Sequence, residues 1–364
     1  MIRAIDFPRI SLAQNRRCDA LKKDPLMSQT GNPNTTMELE DNYDNLSPEV
    51  VIQAVESLGY LSDARILALN SYENRVYQVG IDEATPVIVK FYRPNRWSDE
   101  QIIEEHQFSS MLKQLELPVV PPLVHEEQTL HRFHGYRFSI YERMGGQAPE
   151  PGDFDQLYRL GRLIGRIHAA GRETDFQFRQ SLSVETYCTN ASNFLLENQF
   201  IPAHLETNFQ AIVGTITNHL NEQFASINKL SAIRTHGDCH IGNILWNRDS
   251  GPWFVDFDDC IMAPAVQDLW MLLAGDRRSQ TAQLSEILEG YEEFCSFNRA
   301  EIALIESLRC MRILHYAGWL AKRWDDPAFP KNFPWFNTAN YWEGFLGELQ
   351  EQLMVMMEPP IRLF

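Results

Sequence analysis

His236-Gly237-Asp238-Cys239-His240-Ile241-Gly242-Asn243, followed by Val255-Asp256-Phe257-Asp258-Asp259, is the stretch on which the fold and chemistry of this chain turn. Phosphoryl transfer asks little covalent chemistry of a protein. It needs an oriented acceptor and cations that neutralise phosphate oxygens. The Asp-x-x-x-x-Asn spacing sets an acceptor-orienting carboxylate or base, Asp238, and a metal-binding amide, Asn243, on one short loop. The strand Trp253-Phe254-Val255 then ends in a second carboxylate, Asp256. Singly, each is an ordinary turn residue. Jointly they specify metal-dependent phosphotransfer, with Asp238 and Asp256 as candidate catalytic residues and Asn243 and Asp256 as magnesium ligands.

Upstream, Pro86-Val87-Ile88-Val89-Lys90-Phe91 reads as a buried strand interrupted by a cation. A buried lysine needs an anionic partner. Glu104 or Glu105 on the next helix can supply it, and Glu105 is preferred because it shares a helical face with Leu112. Lys90 is then free to engage nucleotide phosphates, against the plainer reading of a lysine that snorkels to water. Ser71-Tyr72-Glu73-Asn74 lies between the first two strands, where a phosphate-covering loop belongs, and Ser71 and Asn74 are its candidate nucleotide contacts. Neither G-x-G-x-x-G nor a P-loop is present, and an ordinary polar hairpin is the competing reading. Tyr141-Glu142-Arg143-Met144 falls where an interlobe hinge would present backbone to adenine, which makes Tyr141 and Met144 cofactor-site candidates. Asp268 reads either as a buried brace for the catalytic loop or as a first-turn helix acid.

Other readings carry less. His236 and His240 flank Cys239, but zinc would need a further thiolate or imidazole at supporting spacing. The aromatics Trp319, Trp324, Phe329, Phe333, Trp335, Phe336, Tyr341 and Trp342 would suit a quaternary-ammonium cage, although core packing is their commoner use. A net charge of −17 opposes a broad nucleic-acid or anionic-membrane surface. Six scattered cysteines without a C-x-x-C pair suit a reducing cytoplasm. No apolar run approaches the roughly 18 residues of a membrane span.

Three regions are expected: a weakly ordered polar extension over 1–46, a strand-rich N-lobe over 47–143, and a helical C-lobe over 144–364 that carries the catalytic loop. Ser47-Pro48-Glu49 starts a helix. Strands follow near 65–69, 75–79, 86–91 and 138–142, with a helix from Ser98. Helices are expected at 155–170, 266–273, 284–297, 300–324 and 342–357. The fold class is α+β and bilobal.

These residues resemble the aminoglycoside phosphotransferase and choline kinase branch of the protein-kinase-like fold, with His-Gly-Asp for His-Arg-Asp and Asp256-Phe257-Asp258 for Asp-Phe-Gly. Leu69 to Gln78, Val89 to Pro94, Glu104 to Phe108, Pro264 to Leu273 and Asp326 to Trp335 are similar to the bacterial stress response kinase A family, a likeness that runs from about residue 47 to 360. The resemblance implies ATP- and magnesium-dependent phosphorylation of protein serine or threonine in the cytoplasm. It carries Asp238 over as the catalytic carboxylate, Asn243 and Asp256 as magnesium ligands and Ser71 as a nucleotide-loop contact. A small-molecule kinase acting on an amino alcohol, choline, homoserine or an aminoglycoside uses the same catalytic set.

Overall fold

The computed structural model describes residues 42–69 and 71–363, so most of the extension expected over 1–46 lies outside the described residues. Its last residues correct that expectation. Leu46 is buried and Tyr43 packs on the same apolar cluster, its hydroxyl donating to the Phe91 carbonyl at 3.0 Å. Helix α1 (Pro48–Glu56) starts where Ser47 caps the Val50 N–H, and buries Val51, Ala54 and Val55.

Those residues cover one face of an antiparallel sheet built from β1 (Ser62–Ala68), β2 (Arg75–Ile81), β3 (Ala84–Phe91), β4 (His131–Phe133) and β5 (Tyr136–Glu142), in the order β1-β2-β3-β5-β4. Successive side chains on a strand alternate faces. In β3, Val87, Val89 and Phe91 join the α1 cluster, and Lys90, opposite Ser139, points the other way. Between β3 and β4 lies α2 (Asp99–Gln114), closed at its start by a Ser98/Gln101 capping box. Its Phe108 and Leu112 belong to the larger core beyond the sheet, so α2 ties the two halves together.

That larger core lies among α3 (Phe154–Gly171), α4 (Asn190–Glu197), α5 (Ala203–Ser226), α6 (Arg277–Tyr291), α7 (Ile305–Lys322), α8 (Ala328–Asn332) and α9 (Ala339–Met356). Helices α3 and α6 approach so closely that a Cβ on Gly161 would stand 2.1 Å from the Ile287 carbonyl oxygen. Two short antiparallel pairs carry the motif segments. They are β6 (Ile233–Thr235) with β9 (Ile261–Ala263), and β7 (Ile244–Asn247) with β8 (Gly251–Phe254). The C-terminal aromatics form packed core: Phe329, Phe336 and Trp342 are buried among their neighbours. The helix expected at 266–273 is instead two 3₁₀ turns, Ala265–Asp268 and Trp270–Leu272. They turn Gln267 and Asp268 inward, where both side chains bond the Gly237 backbone. Among the described residues, no helix is long and apolar enough to cross a membrane.

Candidate active site

One buried carboxylate supports the catalytic loop from below. Asp268 accepts the backbone N–H of His236 at 2.7 Å and of Gly237 at 2.9 Å. His168 Nε2 lies 2.9 Å from it and is itself 2.9 Å, through Nδ1, from the Tyr291 hydroxyl. At 1% exposure such a carboxylate persists only if its oxygens are bonded. Of its two expected roles, the brace is the one found. Gln267 Nε2 adds a bond to the Gly237 carbonyl at 2.8 Å. His236 donates from Nε2 to the Val255 carbonyl at 2.9 Å and packs on Phe257, fastening the loop to the segment that delivers Asp256. Gly237 has φ +83°, and a Cβ there would meet the Asp259 carbonyl at 2.0 Å.

Within this frame Asp238 and Asn243 stand together, as the spacing requires. Asn243 Nδ2 donates to the Asp238 carbonyl at 3.0 Å and lies 3.4 Å from its carboxylate. Its amide oxygen is thus the atom with capacity for a cation. Arg312 on α7 donates to Asp238 Oδ1 at 2.6 Å, and His240 Nε2 is 3.4 Å from Oδ2. Burial works to raise the Asp238 pKa, but Arg312 and His240 outweigh it and hold the carboxyl well below the usual carboxylate range. So low a pKa makes a weak proton acceptor and a good orienting one. Sequence reasoning missed Arg312. The signal for it is the half-buried stripe Arg312, His315, Tyr316 and Trp319, which runs along α7 beside its buried apolar face.

Asp256 adopts a left-handed backbone, φ 61° and ψ 65°, which for a non-glycine residue costs on the order of 1–3 kcal/mol and marks a constrained site. Its carboxylate is half exposed and meets Lys90 Nζ at 2.9 Å; Asp258 lies 3.4 Å from the same nitrogen. The expected Lys90 partner is therefore corrected. Glu105 stands outside ion-pair distance, one layer behind, with Oε2 3.7 Å from His106 Nε2 and without a hydrogen bond. Glu104 faces elsewhere, accepting the backbone N–H groups of Gln177, Phe178 and Arg179. Glu105 still acts through its field. Burial alone would lower the Lys90 pKa, but Asp256, Asp258 and Glu105 raise it well above the usual value. Burial pushes Glu105 itself up to about 7.

Ser71 opens the turn between β1 and β2, half-buried. Asn74 does not reach toward a nucleotide. Its amide is spent on the protein, donating to Asp258 at 3.1 Å and accepting the Arg93 N–H at 3.0 Å. Tyr141 likewise turns inward, its hydroxyl 2.8 Å from that of Tyr92, which bonds His106 at 2.7 Å. Its backbone is in the sheet as well, paired with Ile88 of β3 and bridged to Pro122. Half-buried Met144 follows β5, where the connector pairs Gln147 with Trp246 of the helical half through bonds of 3.0 and 2.6 Å. Arg96, also missed, donates to both Asp258 and Asp259.

As metal donors, Asn243 and Asp256 offer hard oxygens, and a cation that keeps waters and shares substrate phosphates needs no larger protein cage. The residues present fit magnesium. Among the described residues no group of three or more His, Cys, Asp or Glu is arranged to hold a metal. The flanking histidines are used otherwise: His236 as above, and His240 at 2.9 Å from the Gly242 N–H.

Comparison with known proteins shows the family and the fold. Residues 65–305 match the phosphotransferase enzyme family. The chain is 43% identical over 325 residues to stress response kinase A of Escherichia coli K12, covering 88% of this chain and 97% of that protein. It is 43% identical over 321 residues to serine/threonine protein kinase RdoA of Salmonella typhimurium, with the same coverage. Among solved structures, the amicoumacin kinase hAmiN in complex with AMP-PNP, Ca2+ and Ami superposes with a TM-score of 0.67 at 19% identity, over 87% of this chain and 95% of that one. A microcompartment-associated aminopropanol kinase gives 0.65 at 16% identity, over 87% and 100%. At such identities the structural likeness speaks for the shared fold.

Proposed function

The chain belongs to the phosphotransferase enzyme family, and from that premise we propose that it transfers the γ-phosphate of ATP to a serine or threonine hydroxyl of a protein, with magnesium. The observation that carries the protein acceptor is the 43% identity, over almost the whole length, to proteins named stress response kinase A and serine/threonine protein kinase RdoA. The same likeness supports a role in a bacterial stress response. The described cysteines are all free and buried, which supports a reducing cytoplasmic setting.

In this reading Asp238 accepts a hydrogen bond from the acceptor hydroxyl, and Arg312 and His240 keep its carboxylate ionised and aimed. Asn243 and Asp256 hold magnesium. When bound, the metal supplies charge neutralisation at the phosphate oxygens. Lys90, already charged and desolvated beside Asp256, gives the site a fixed cation for phosphate. Ser71 and the backbone of its turn cover the nucleotide, and the backbone around Met144 meets adenine.

A second reading, a kinase of a small cationic acceptor, is favoured by Asp259, which stands half exposed beside the site. Its charge is already taken by Arg96, and although the carboxylate edge is open, its packed surroundings and then the neighbouring Asp258, Asp238 and Asp256 push its pKa up to about 6. Both weaken it as a docking point for a cation.

Labelled ATP separates the two readings. The protein is incubated alone, with generic protein substrates, and then with choline, homoserine and aminoglycosides. Label in protein serine or threonine is expected, and label confined to a small molecule would sink the protein-kinase reading. Asp238→Asn should abolish transfer in every case; full activity in that variant would remove Asp238 from its role.

A further inference from the structure

The turn that would cover the nucleotide contains no glycine and is fastened across the cleft. Glu73 points out of the sheet toward α7. Its Oε2 lies 2.7 Å from Arg323 and accepts the Trp319 indole N–H, and its Oε1 lies 3.1 Å from Arg93 and 3.6 Å from Arg96. Burial works to raise the Glu73 pKa, but three guanidinium groups outweigh it and keep the carboxylate charged. A second carboxylate answers from the other side. Asp326, just past α7, accepts Arg93 at 3.0 Å and Arg75 at 3.3 Å. Arg93 closes the circuit by donating to the carbonyls of Glu73 at 2.8 Å and Tyr72 at 3.1 Å. Apolar contact follows the same line: Tyr72 packs on Phe333, ring centroids 4.9 Å apart, and Arg93 lies over the Phe329 ring. The segment Asp326-Pro327-Ala328-Phe329-Pro330-Lys331-Asn332-Phe333 thereby acquires a use that the catalytic set does not give it.

We propose that Glu73 and Asp326 are positioning residues that latch the nucleotide loop to the helical lobe, so that opening this latch sets the rate of nucleotide exchange. The reasoning is mechanical. A glycine-rich loop lifts by bending its own backbone. This turn has no such freedom, and to lift it must part charged groups that are largely out of water. Breaking one partner of such a set leaves the others uncompensated. The latch therefore holds Ser71 over the phosphates during transfer and must release before ADP can leave. It rests only on the nucleotide half of the proposed function and is indifferent to the acceptor.

The test follows displacement of a fluorescent ADP analogue by stopped flow from the full chain and from Asp326→Asn, Arg323→Gln and Glu73→Gln. Hydrogen exchange of residues 71–76 and thermal unfolding are read alongside. Each folded variant should release the analogue about tenfold faster or more, the factor that a modest loss of coupling supplies. The turn should exchange faster while α3 and α6 stay protected. Glu73→Gln exposes three arginines to one another, and if it fails to fold the other two variants carry the measurement. A rise in the KM for ATP together with slower single-turnover transfer, at an unchanged unfolding temperature, would separate a latch from a merely structural role. Release within about twofold of wild type in both folded variants would overturn the latch while leaving the kinase reading intact. Failure of the wild-type chain to bind the analogue at all would overturn both.

Discussion

The two loops that meet over the cleft are held by different physics. The loop from His236 to Asn243 is braced within its own lobe by Asp268 and Gln267, through short bonds to buried backbone groups, and by His236, through a bond to the half-buried Val255 carbonyl. The nucleotide loop from Ser71 to Asn74 is held across the cleft by the ion pair of Glu73 with Arg323, and through Arg93, which pairs with Glu73 in its own lobe and with Asp326 in the other. A part that positions the acceptor gains from having one geometry, because preorganised groups need no rearrangement at the moment of transfer. A part that admits and releases a nucleotide has to come apart in every cycle. Charged contacts between lobes can separate and re-form as units, whereas buried backbone bonds cannot open without local unfolding.

The largest expected effect breaks the first loop. Asp268→Ala removes the acceptor for two buried N–H groups and strands His168. It should cost about 3–5 kcal/mol in chemical denaturation, as for a broken buried pair, and abolish transfer in whatever fraction stays folded. A variant as stable as wild type would mean that the loop is not braced from below. A pH effect comes next, from the Lys90 cluster between the loops. The Glu105 carboxyl is raised from 4.5 to about 7 in the folded state, so the folded protein holds that proton more tightly than the unfolded chain does. Stability should therefore fall as pH rises through this window, by at most about 3 kcal/mol. Glu105→Gln should flatten the fall, and an identical pH profile in that variant would contradict the burial assigned to Glu105. Gly237→Ala follows, at about 1–3 kcal/mol of backbone strain. Here kcat should fall further than KM, because the added Cβ presses on the Asp259 carbonyl and displaces Asp238.

How much of this was legible in the sequence divides along the same line. The loop from His236 to Asn243 could be placed because its signals are local: the Asp238 to Asn243 spacing and the strand that ends in Asp256 survive as a string. The sheet was legible through alternation, α1 through its cap, and α2 through the acids of its first turn and its apolar spacing. Helix α5 was missed. Its apolar stripe Phe209, Val213, Ile216 and Leu220 is buried, but Gly214, Thr215, Thr217 and Asn218 lower its helix propensity, and tertiary packing decides instead. The second loop was illegible for a different reason. Glu73 meets Arg323 across some 250 positions and Asn74 meets Asp258 across 184, and no spacing encodes contacts so distant. Lys90 was misassigned to Glu105 for the same reason: helical phase predicts which side chain faces inward, not which of several inward carboxylates arrives first.

Asn74 sharpens the contrast because it belongs to both systems. It sits in the turn from Ser71 to Asn74, yet its side chain is buried and its amide bonds Asp258, two residues from Asp256, the proposed metal ligand. Asn74→Ala should cost only about 1 kcal/mol, the net worth of one buried hydrogen bond with some penalty for the group left behind. Burial works to raise the Asp258 pKa, but Lys90, Arg96, Arg179 and the Asn74 bond hold it low. Loss of one neutral donor among three cations should leave Asp258 ionised. The latch contacts through Glu73 and Asp326 remain, so nucleotide release should change far less than in Asp326→Asn. Equal acceleration in the two variants would mean that the loop is held by its buried amide, and the distinction between an exchangeable loop and a fixed one would fail at that residue.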